Sequence, residues 1–368
     1  MIVPGHYCAS LHAGLQITLG RNDSITVSPC VLDPVEFVVT DSHVFDHPDL
    51  IKFRQRNQIS QSLEGGCAAC EELACTGRRG RNRSSSNIAY IDDHLLYNQL
   101  GPKMITFKLD YVCNLACVTC GPDVSTKWRS ITKDKGFPTF ADEDLIRSTI
   151  RNINLEQLET VHIFGGEPLL TRTHEIILEE LVAYSKNITV WYDTNATAYP
   201  SERTMELWDK FHLIRLKFSI DGIGKSFEYL RWPAIWSQVE DNILRIKETI
   251  PVNHMLSVRP AMGFLNFHIV KDIVKWQQTH LPTNRLGDIT ELEYTPVYGL
   301  YNASNMPQSM LDELHILYTK GDPIFDIVAP LTHDQTALVK IKTTLDAMDQ
   351  QRNLSWRESL PHLIPYLT

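Results

Sequence analysis

The sequence of 368 residues predicts an α/β fold built around a partial, TIM-like (β/α)6 barrel. From about residue 103, short stretches rich in β-branched and aromatic residues alternate with stretches of helical periodicity. Because a parallel crossover needs a connection of helix length, this alternation favours a parallel sheet. The polar, glycine-containing and cysteine-containing stretches follow the ends of strands, where the active sites of (β/α) barrels form. A barrel is therefore favoured over an open doubly wound sheet.

Six segments are predicted as barrel strands, each bounded by Gly, Pro, Asp or Asn. They are MITFKL (104–109), TVHIF (160–164), ITVWYD (188–193), IRLKFSI (214–220), MLSVRP (255–260) and ELEYTPV (291–297). Helices are predicted between them over 142–153, 173–185, 234–249 and 267–278. The helix over 234–249 follows Pro233, which suits a helix start, and Trp236, Val239 and Ile243 recur on one face.

The regions on either side of the barrel (101–300) have a different character. Residues 1–100 contain short strand-like pieces and then a turn-rich, arginine-rich segment, which predicts a separate small domain held together by metal. Residues 301–368 contain the helical patterns SMLDELHILY and DQTALVKIKTTLDAMDQQ, which predict a C-terminal helical extension.

Charge and composition limit the function. The formal net charge of −9 argues against a protein built mainly to bind nucleic acid. The N-terminal stretch lacks the pattern of a signal peptide, and no apolar run is long enough to cross a membrane. We therefore expect a cytoplasmic, reducing location, in which grouped cysteines are more often metal ligands or catalysts than disulfides.

Three of the eight cysteines, Cys113, Cys117 and Cys120, lie in the stretch YVCNLACVTCGP. A structural zinc site takes four ligands, and a [4Fe–4S] cluster usually takes four thiolates. With three thiolates, one iron of such a cluster stays open to a substrate or cofactor. The alternative is a surface loop whose thiols bind no metal.

This Cys-x3-Cys-x2-Cys pattern after a first strand resembles the radical SAM enzyme family. The resemblance implies that the open iron binds S-adenosylmethionine (SAM) and that the reduced cluster cleaves it to a 5′-deoxyadenosyl radical, which abstracts hydrogen from a substrate. One departure is Thr119, because the family often has an aromatic residue before the third cysteine.

A second motif, IFGGEPLL (163–170), resembles the GGEP motif of the same family. Paired glycines allow a backbone to approach a ligand closely, and the glutamate adds a carboxylate. The resemblance implies that this turn contacts the SAM amino group through Gly165, Gly166, Glu167 and Pro168. It also implies that Asn195 in TNAT, which resembles TNGT, faces SAM or substrate. Ser219 and Asp221 in FSIDG would contact the SAM ribose, and Arg231 in YLRWP would lie near the SAM carboxylate. The alternative for each is a simple turn or a solvated charge.

The N-terminal cysteines resemble the twitch or SPASM accessory module of radical SAM enzymes, as in the twitch-domain proteins of phage genomes. The resemblance implies a second [4Fe–4S] cluster on Cys8, Cys30, Cys67 and Cys70. Here the module precedes the barrel, whereas it usually follows it, and zinc on the same four cysteines is the alternative. Cys75 is left over as a replacement ligand, an inert thiol or a catalytic hydrogen-atom donor.

The resemblance implies a radical SAM enzyme that acts on a peptide or protein side chain by crosslinking, epimerisation or dehydrogenation. The alternatives are a dehydrogenase or modifier of a small molecule, sugar or nucleoside, and, in another class, a non-catalytic, metal-stabilised binding protein. An electron donor such as flavodoxin or ferredoxin is the expected partner.

Overall fold

The computed structural model describes residues 13–20, 22–29, 37–39, 44–59, 101–134, 138–251, 254–281, 293–319, 324 and 337–367, with side chains of the first helix to residue 56. In these residues the strands β1 to β10 are Gly14–Leu19, Ile25–Ser28, Phe37–Val38, Met104–Lys108, Thr160–Ile163, Thr189–Thr194, Leu213–Phe218, Met255–Val258, Ala261–Met262 and Thr295–Pro296. The helices α1 to α12 are Pro48–Ile59, Thr126–Thr132, Glu143–Arg151, Thr173–Leu181, Glu202–Trp208, Lys225–Leu230, Trp236–Thr249, Val270–His280, Gln308–Leu317, Ala337–Arg352, Trp356–Ser359 and Ile364–Leu367.

The main sheet has the strand order β3-β2-β1-β4-β5-β6-β7-β8. β4 pairs in parallel with β5, and β5 pairs in parallel with β6, so that Phe107, Ile163 and Tyr192 lie side by side. Helices follow most of these strands in the sequence, as a right-handed parallel crossover requires. The predicted α/β fold with a mostly parallel sheet is therefore confirmed.

The N-terminal strands extend this same sheet, which the sequence analysis did not predict. β1 pairs in parallel with β4, with Ile17 opposite Phe107. β2 pairs antiparallel with β1, and β3 pairs antiparallel with β2. All six residues of β1 are buried, so the strand contributes to the core rather than forming an exposed edge.

The prediction of a sixth barrel strand over 291–297 is wrong for its described part. Only Thr295–Pro296 is a strand there, and it pairs with β9 in a separate two-stranded sheet. Both residues are exposed, and Pro296 has no backbone N–H with which to extend a ladder. The helix α7 also begins later than predicted, at Trp236, after Ile235 in extended conformation.

The chain divides into two compact units. The first comprises Met1–Val112, Lys133–Tyr192 and Pro200–Arg215, and the second comprises Cys113–Thr132, Asp193–Tyr199 and Leu216–Thr368. The earlier division of the chain at residues 100 and 300 stays a prediction.

In the second unit, the helical C-terminal region packs into one apolar cluster with earlier residues. Leu345 and Trp356 of this region are fully buried in the cluster together with Val118, Leu230 and Phe264. The predicted C-terminal helices are therefore present, and part of their apolar surface covers residues near the cysteine triplet. No helix within the described ranges is long and apolar enough to cross a membrane.

Candidate functional site

The three cysteines of the triplet lie on a loop between β4 and α2, and their exposure differs. Cys113 is half-buried, Cys117 is buried with 4% of its surface exposed, and Cys120 is exposed. The backbone N–H of Cys120 donates to the carbonyl of Cys117 at 3.2 Å, which closes the loop into a turn. This cysteine loop (residues 113–120) is the core of the candidate site in the second unit.

One side of the cysteine loop pairs with the segment that follows α6. The N–H of Ala116 donates to the carbonyl of Trp232 at 2.7 Å, and the N–H of Val118 donates to the carbonyl of Leu230 at 2.8 Å. These bonds satisfy the donors on both sides of Cys117, as buried backbone groups require.

The helix α2 holds the loop through its side chains. The Thr126 hydroxyl accepts from the N–H of Cys113 at 3.0 Å and lies 3.1 Å from the Cys113 carbonyl oxygen. The indole Nε1 of Trp128 donates to the carbonyl of Cys117 at 2.9 Å. Two of the three cysteines are therefore positioned by a helix that begins only a few residues later in the chain.

A buried ion pair lies beside Cys117. The Nε of Arg231 lies 2.8 Å from Oδ2 of Asp221, although the two are not aligned as a hydrogen bond, and Nη1 of Arg231 lies 3.9 Å from the Cys117 sulfur. A hydrogen bond from Cys120 lowers the pKa of the Cys117 thiol, and the Arg231 charge adds to this against the opposing effect of burial. Burial by itself would lower the pKa of Arg231, but the charges of Asp221 and Cys117 raise it above its usual value.

The Asp221 carboxylate is held by a segment that the sequence analysis did not identify. Its Oδ1 accepts from the N–H of Ala261 at 2.6 Å, and Nδ2 of Asn266 donates to its backbone carbonyl at 3.1 Å. Gly263 lies between Ala261 and Asn266 in the sequence, and an added Cβ there would come within 2.3 Å of the Tyr301 carbonyl. The sequence signal that could have identified this segment is a single Asn, Asn266, within an apolar run after β9.

Asn195 lies against the first cysteine. Its Nδ2 is 3.9 Å from the Cys113 sulfur and donates to the Asn114 side chain at 3.2 Å. The next residue, Ala196, has a φ of 56°, a conformation that favours glycine. The structure thus places Asn195 beside the cysteine loop, and its contact with SAM or substrate stays a prediction.

Ser219 and Thr119 lie elsewhere in the second unit. The N–H of Ser219, just after β7, donates to the carbonyl of Thr194 at the end of β6. Thr119 lines a small cavity together with Asp221, Leu230 and other residues of the second unit. The position at which the family often has an aromatic residue therefore faces a cavity that contains the Asp221 side chain.

The glycine turn, Gly165–Pro168, belongs to the first unit. A Cβ on Gly165, where φ is 153°, would lie 2.3 Å from the Asp110 carbonyl, and one on Gly166 would lie 2.1 Å from the Val112 carbonyl. The N–H groups of Gly166 and Glu167 donate to these same two carbonyls at 2.9 and 2.7 Å. The turn therefore packs backbone to backbone on the residues that directly precede Cys113.

Glu167 is buried, with 1% of its surface exposed, and its Oε1 accepts from the N–H of Leu169 at 3.1 Å. Pro168 then starts a short 3₁₀ turn over residues 168–170. The carboxylate of Asp110, in the same unit, accepts from the N–H of Val112 at 2.6 Å and from the Thr173 hydroxyl at 2.9 Å. Burial raises the pKa of Asp110, against the effect of these hydrogen bonds.

The five N-terminal cysteines lie outside the described residues. They are Cys8, Cys30, Cys67, Cys70 and Cys75. The second cluster and the role of Cys75 therefore stay predictions.

The donor set of the cysteine loop fits an iron–sulfur cluster better than a single ion. Across the described ranges, no three His, Cys, Asp or Glu side chains are grouped closely enough to hold one metal ion. The cysteines of a [4Fe–4S] cluster bind different irons, so they need not converge on one point. Three thiols on one loop beside a buried arginine match such a cluster and argue against a tetrahedral zinc site.

Residues 110–276 match the model of the Radical SAM superfamily. No curated protein sequence matches the chain significantly. Among solved structures, native anSMEcpe with bound AdoMet is 17% identical with a TM-score of 0.41, over 63% of this chain and 62% of that chain. SuiB of Streptococcus suis bound to precursor peptide SuiA is 14% identical with a TM-score of 0.42, over 85% of this chain and 69% of that chain.

The chain covers less than two thirds of the length of anSMEcpe. At these TM-scores, neither solved structure indicates the substrate of this chain. The superfamily match includes the cysteine loop, the glycine turn, Asn195, Asp221 and Arg231. The residues of the candidate site therefore lie within the part of the chain that matches the Radical SAM superfamily model, which is slightly less than half of the chain.

Proposed function

We propose that this chain is a radical SAM enzyme that abstracts hydrogen from a polar substrate, by preference a peptide or protein side chain. The observation that carries the proposal is the cysteine loop, in which three thiols are held by backbone bonds within the part of the chain that matches the Radical SAM superfamily model. A non-catalytic scaffold would not need three thiols and no fourth ligand at this position.

Cys113, Cys117 and Cys120 would hold the [4Fe–4S] cluster. When bound, this cluster supplies the electron that cleaves SAM and so starts the radical chemistry. The protein supplies the frame: the N–H donors on both sides of Cys117 are tied to Leu230 and Trp232, so the loop is organised without metal.

The SAM contacts that the resemblance implies suit the side chains of each unit taken by itself. In the first unit, Gly165 and Gly166 expose backbone without side chains, and Glu167 adds a buried carboxylate suited to an amino group. In the second unit, Arg231 suits a carboxylate and Asp221 suits ribose hydroxyls, with Asn195 and Ser219 as further polar contacts. These roles rest on the family resemblance, and the burial and pairing of the side chains support them.

The charged residues of β6 to β8 support a polar substrate. Asp193 pairs with Arg259 at 2.9 Å, and Lys217, which is only 5% exposed, pairs with Glu293 at 2.9 Å. Lys217 lies two residues before Ser219 and therefore points to the same face. Charged side chains on these strands suit a polar substrate better than a lipid-like one, because an apolar surface placed against them would remove water from the charges.

The preference for a peptide rests on the resemblance of the N-terminal cysteines to a twitch or SPASM module. A second [4Fe–4S] cluster on Cys8, Cys30, Cys67 and Cys70 belongs to the same proposal, and so does reduction by a flavodoxin or ferredoxin. A small molecule, a sugar or a nucleoside is the alternative substrate.

Iron content tests the clusters. Anaerobic reconstitution should give about eight irons per chain, from two clusters of four. Replacing Cys113, Cys117 and Cys120 together with Ala should reduce this to about four, whereas Thr119→Ala, in the same loop, should retain all iron. Full iron in the triple variant would overturn the assignment of the ligands.

Product analysis tests the reaction. With a strong reductant and SAM, the reconstituted chain should release 5′-deoxyadenosine and methionine, and the triple cysteine variant should release neither. Candidate peptides, nucleosides and sugars labelled with deuterium are then compared for deuterium transfer into 5′-deoxyadenosine. Transfer only from a nucleoside or sugar would replace the peptide in the proposal, and no cleavage at all would favour a non-catalytic binding protein.

A further inference from the structure

An arginine of the C-terminal region reaches the cysteine loop. Arg352, the last residue of α10, is 6% exposed, and its Nη2 donates to the carbonyl of Ala116 at 2.8 Å. Ala116 directly precedes Cys117, and 236 positions separate Arg352 from Ala116 in the sequence. This bond therefore joins the C-terminal helical region to the residue beside a predicted ligand.

The guanidinium also contacts two tryptophans that hold the same loop. Its carbon lies 5.2 Å from the ring centroid of Trp128 and 5.3 Å from that of Trp232, distances at which a cation is attracted to an aromatic ring. Trp128 donates to the Cys117 carbonyl, and the Trp232 carbonyl accepts from Ala116. Arg352 thus contacts the loop and both of these residues.

A second bond attaches the same helix to the frame of the loop. Asp349, three residues before Arg352, accepts from the Tyr229 hydroxyl at 2.8 Å. Tyr229 precedes Leu230, whose carbonyl accepts from Val118 of the loop. The last turn of α10 therefore binds the loop directly through one side chain and its pairing segment through another.

Only part of the Arg352 guanidinium is hydrogen-bonded among the described residues. Within the part of the chain that the structure describes, its Nε and Nη1 are buried and have no hydrogen-bond partner. The Asp349 carboxylate, the nearest acid along the helix, instead accepts from Tyr229 and from the N–H of Trp356. Burial lowers the pKa of Arg352, and the charges of Cys117 and Asp349 act against this lowering, so the guanidinium is electrostatically linked to a predicted cluster ligand.

We propose that Arg352 is a positioning residue that holds the cysteine loop in place and raises the reduction potential of the cluster bound there. The positioning of the loop follows from the contacts, and the effect on the reduction potential rests on the proposed function. Reduction adds one negative charge to a cluster, and a fixed positive charge nearby favours the reduced state because little water screens it.

The positioning is tested on the full-length chain before reconstitution, by hydrogen–deuterium exchange of the loop. Arg352→Gln should raise the exchange rate of the Ala116 and Val118 amides by about tenfold, because their frame is loosened locally. Helix α4 of the first unit should exchange as in the wild type. Arg357→Gln removes an arginine of the same region that pairs with Asp346 instead, and it should leave the loop unchanged.

The charge is tested on the reconstituted chain, by redox titration of the electron paramagnetic resonance signal that the triple cysteine variant lacks. At a fixed applied potential, Arg352→Gln should lower the ratio of reduced to oxidised cluster by about tenfold, which for one electron corresponds to about 59 mV. Arg352→Lys keeps the positive charge but lacks the planar guanidinium with its several N–H donors. It should therefore have a reduction potential close to that of the wild type, while the loop amides still exchange faster than in the wild type.

Two results would overturn the proposal separately. Loop exchange in Arg352→Gln equal to that in Arg357→Gln would exclude the positioning role. A potential that is unchanged in Arg352→Gln, or lowered equally in Arg352→Lys, would exclude the role of the charge. A wild-type chain that assembles no cluster would overturn the proposed function together with the redox part, while the exchange measurement would still decide the positioning part.

Discussion

The glycine turn and the cysteine loop are held by different kinds of contact. The turn Gly165–Pro168 packs backbone to backbone on Asp110 and Val112, and its shape depends on missing side chains. The cysteine loop is held by the side chains of Trp128 and Arg352 and by backbone bonds to the segment after α6. The turn depends on its missing side chains and on the backbone of Asp110 and Val112, whereas the loop depends on parts of the chain that follow it by up to 236 positions.

The two regions should therefore respond differently to substitutions. A change in the turn itself should disrupt the turn, whatever happens elsewhere. The cysteine loop, in contrast, should respond to changes in the C-terminal helices, which contain no predicted ligand. Four predictions test this contrast, beginning with the largest expected effect.

The largest effect is expected at the ion pair beside Cys117. Arg231→Gln leaves Asp221 buried without its partner, and the broken pair should cost about 3–5 kcal/mol in unfolding free energy. Urea denaturation of the metal-free chain measures this loss. The control is Arg259→Gln, which breaks a half-exposed pair with Asp193 and should cost no more than about 1 kcal/mol.

The double variant Asp221→Asn with Arg231→Gln sharpens the same test. Because it removes both charges, it should lose less stability than the sum of the two single variants. Equal losses for Arg231→Gln and Arg259→Gln would show that the pair beside Cys117 does not stabilise the fold as proposed.

The next effect concerns the glycine turn. In Gly166→Ala the added Cβ meets backbone atoms at 2.1 Å and 2.6 Å, so backbone must shift, at a cost of about 3 kcal/mol. In the control Gly121→Ala the nearest atom is the Asp123 carboxylate at 2.7 Å, which can rotate away, and the cost should stay below about 1 kcal/mol. Similar midpoints for the two variants in urea would contradict the backbone-packing account of the turn.

A smaller effect is expected from Glu167→Gln, which keeps the side-chain length and an oxygen able to accept from Leu169. If Glu167 binds the SAM amino group, SAM affinity measured by anaerobic calorimetry should fall about tenfold, because the charge of the acceptor is lost. Iron content should stay as in the wild type. Glu143→Gln, on the exposed surface of α3, is the control, and unchanged SAM affinity in Glu167→Gln would exclude the proposed role.

The smallest effect is expected at Asp346 of α10, which accepts hydrogen bonds from within α10 and from α11. Hydrogen bonds from Lys342, Trp356 and Arg357 lower the pKa of Asp346 from 3.8 to about 2. A carboxylate with a lowered pKa in the folded state stabilises the fold above pH 3.8, and this stability is lost as the pH falls towards 2.

Asp346→Asn should therefore lower the free energy of unfolding by roughly 1 kcal/mol at neutral pH, after allowance for solvent screening. The difference from the wild type should shrink between pH 5 and pH 2, which urea titrations at several pH values measure. A difference that does not change with pH would show that the lost contacts are not ionic.

Much of the site could be predicted from the sequence because its signals are local. The cysteine spacing resembles the Radical SAM superfamily, whose model matches residues 110–276. The paired glycines were expected to bring backbone close to a ligand; in the structure Gly165 and Gly166 approach the carbonyls of Asp110 and Val112, and their contact with a ligand stays a prediction. Asn195 lies near Cys113, and its role at the site also stays a prediction. Asn266 was missed because its partner, Asp221, lies 45 positions away, and an isolated Asn in an apolar run does not indicate what it binds.

The sequence alone determined the alternation of strands and helices, the three thiols on one loop and the two adjacent glycines of the turn, because each is set by residues that are neighbours in the chain. Only the tertiary structure decided that β1 joins the sheet beside β4, that Thr295–Pro296 lies outside it, and that Arg352 is buried against Ala116. The physical reason is that strand pairing and side-chain burial are long-range contacts. Local propensity limits which segments can make them, but the common packing of the whole chain selects the partners.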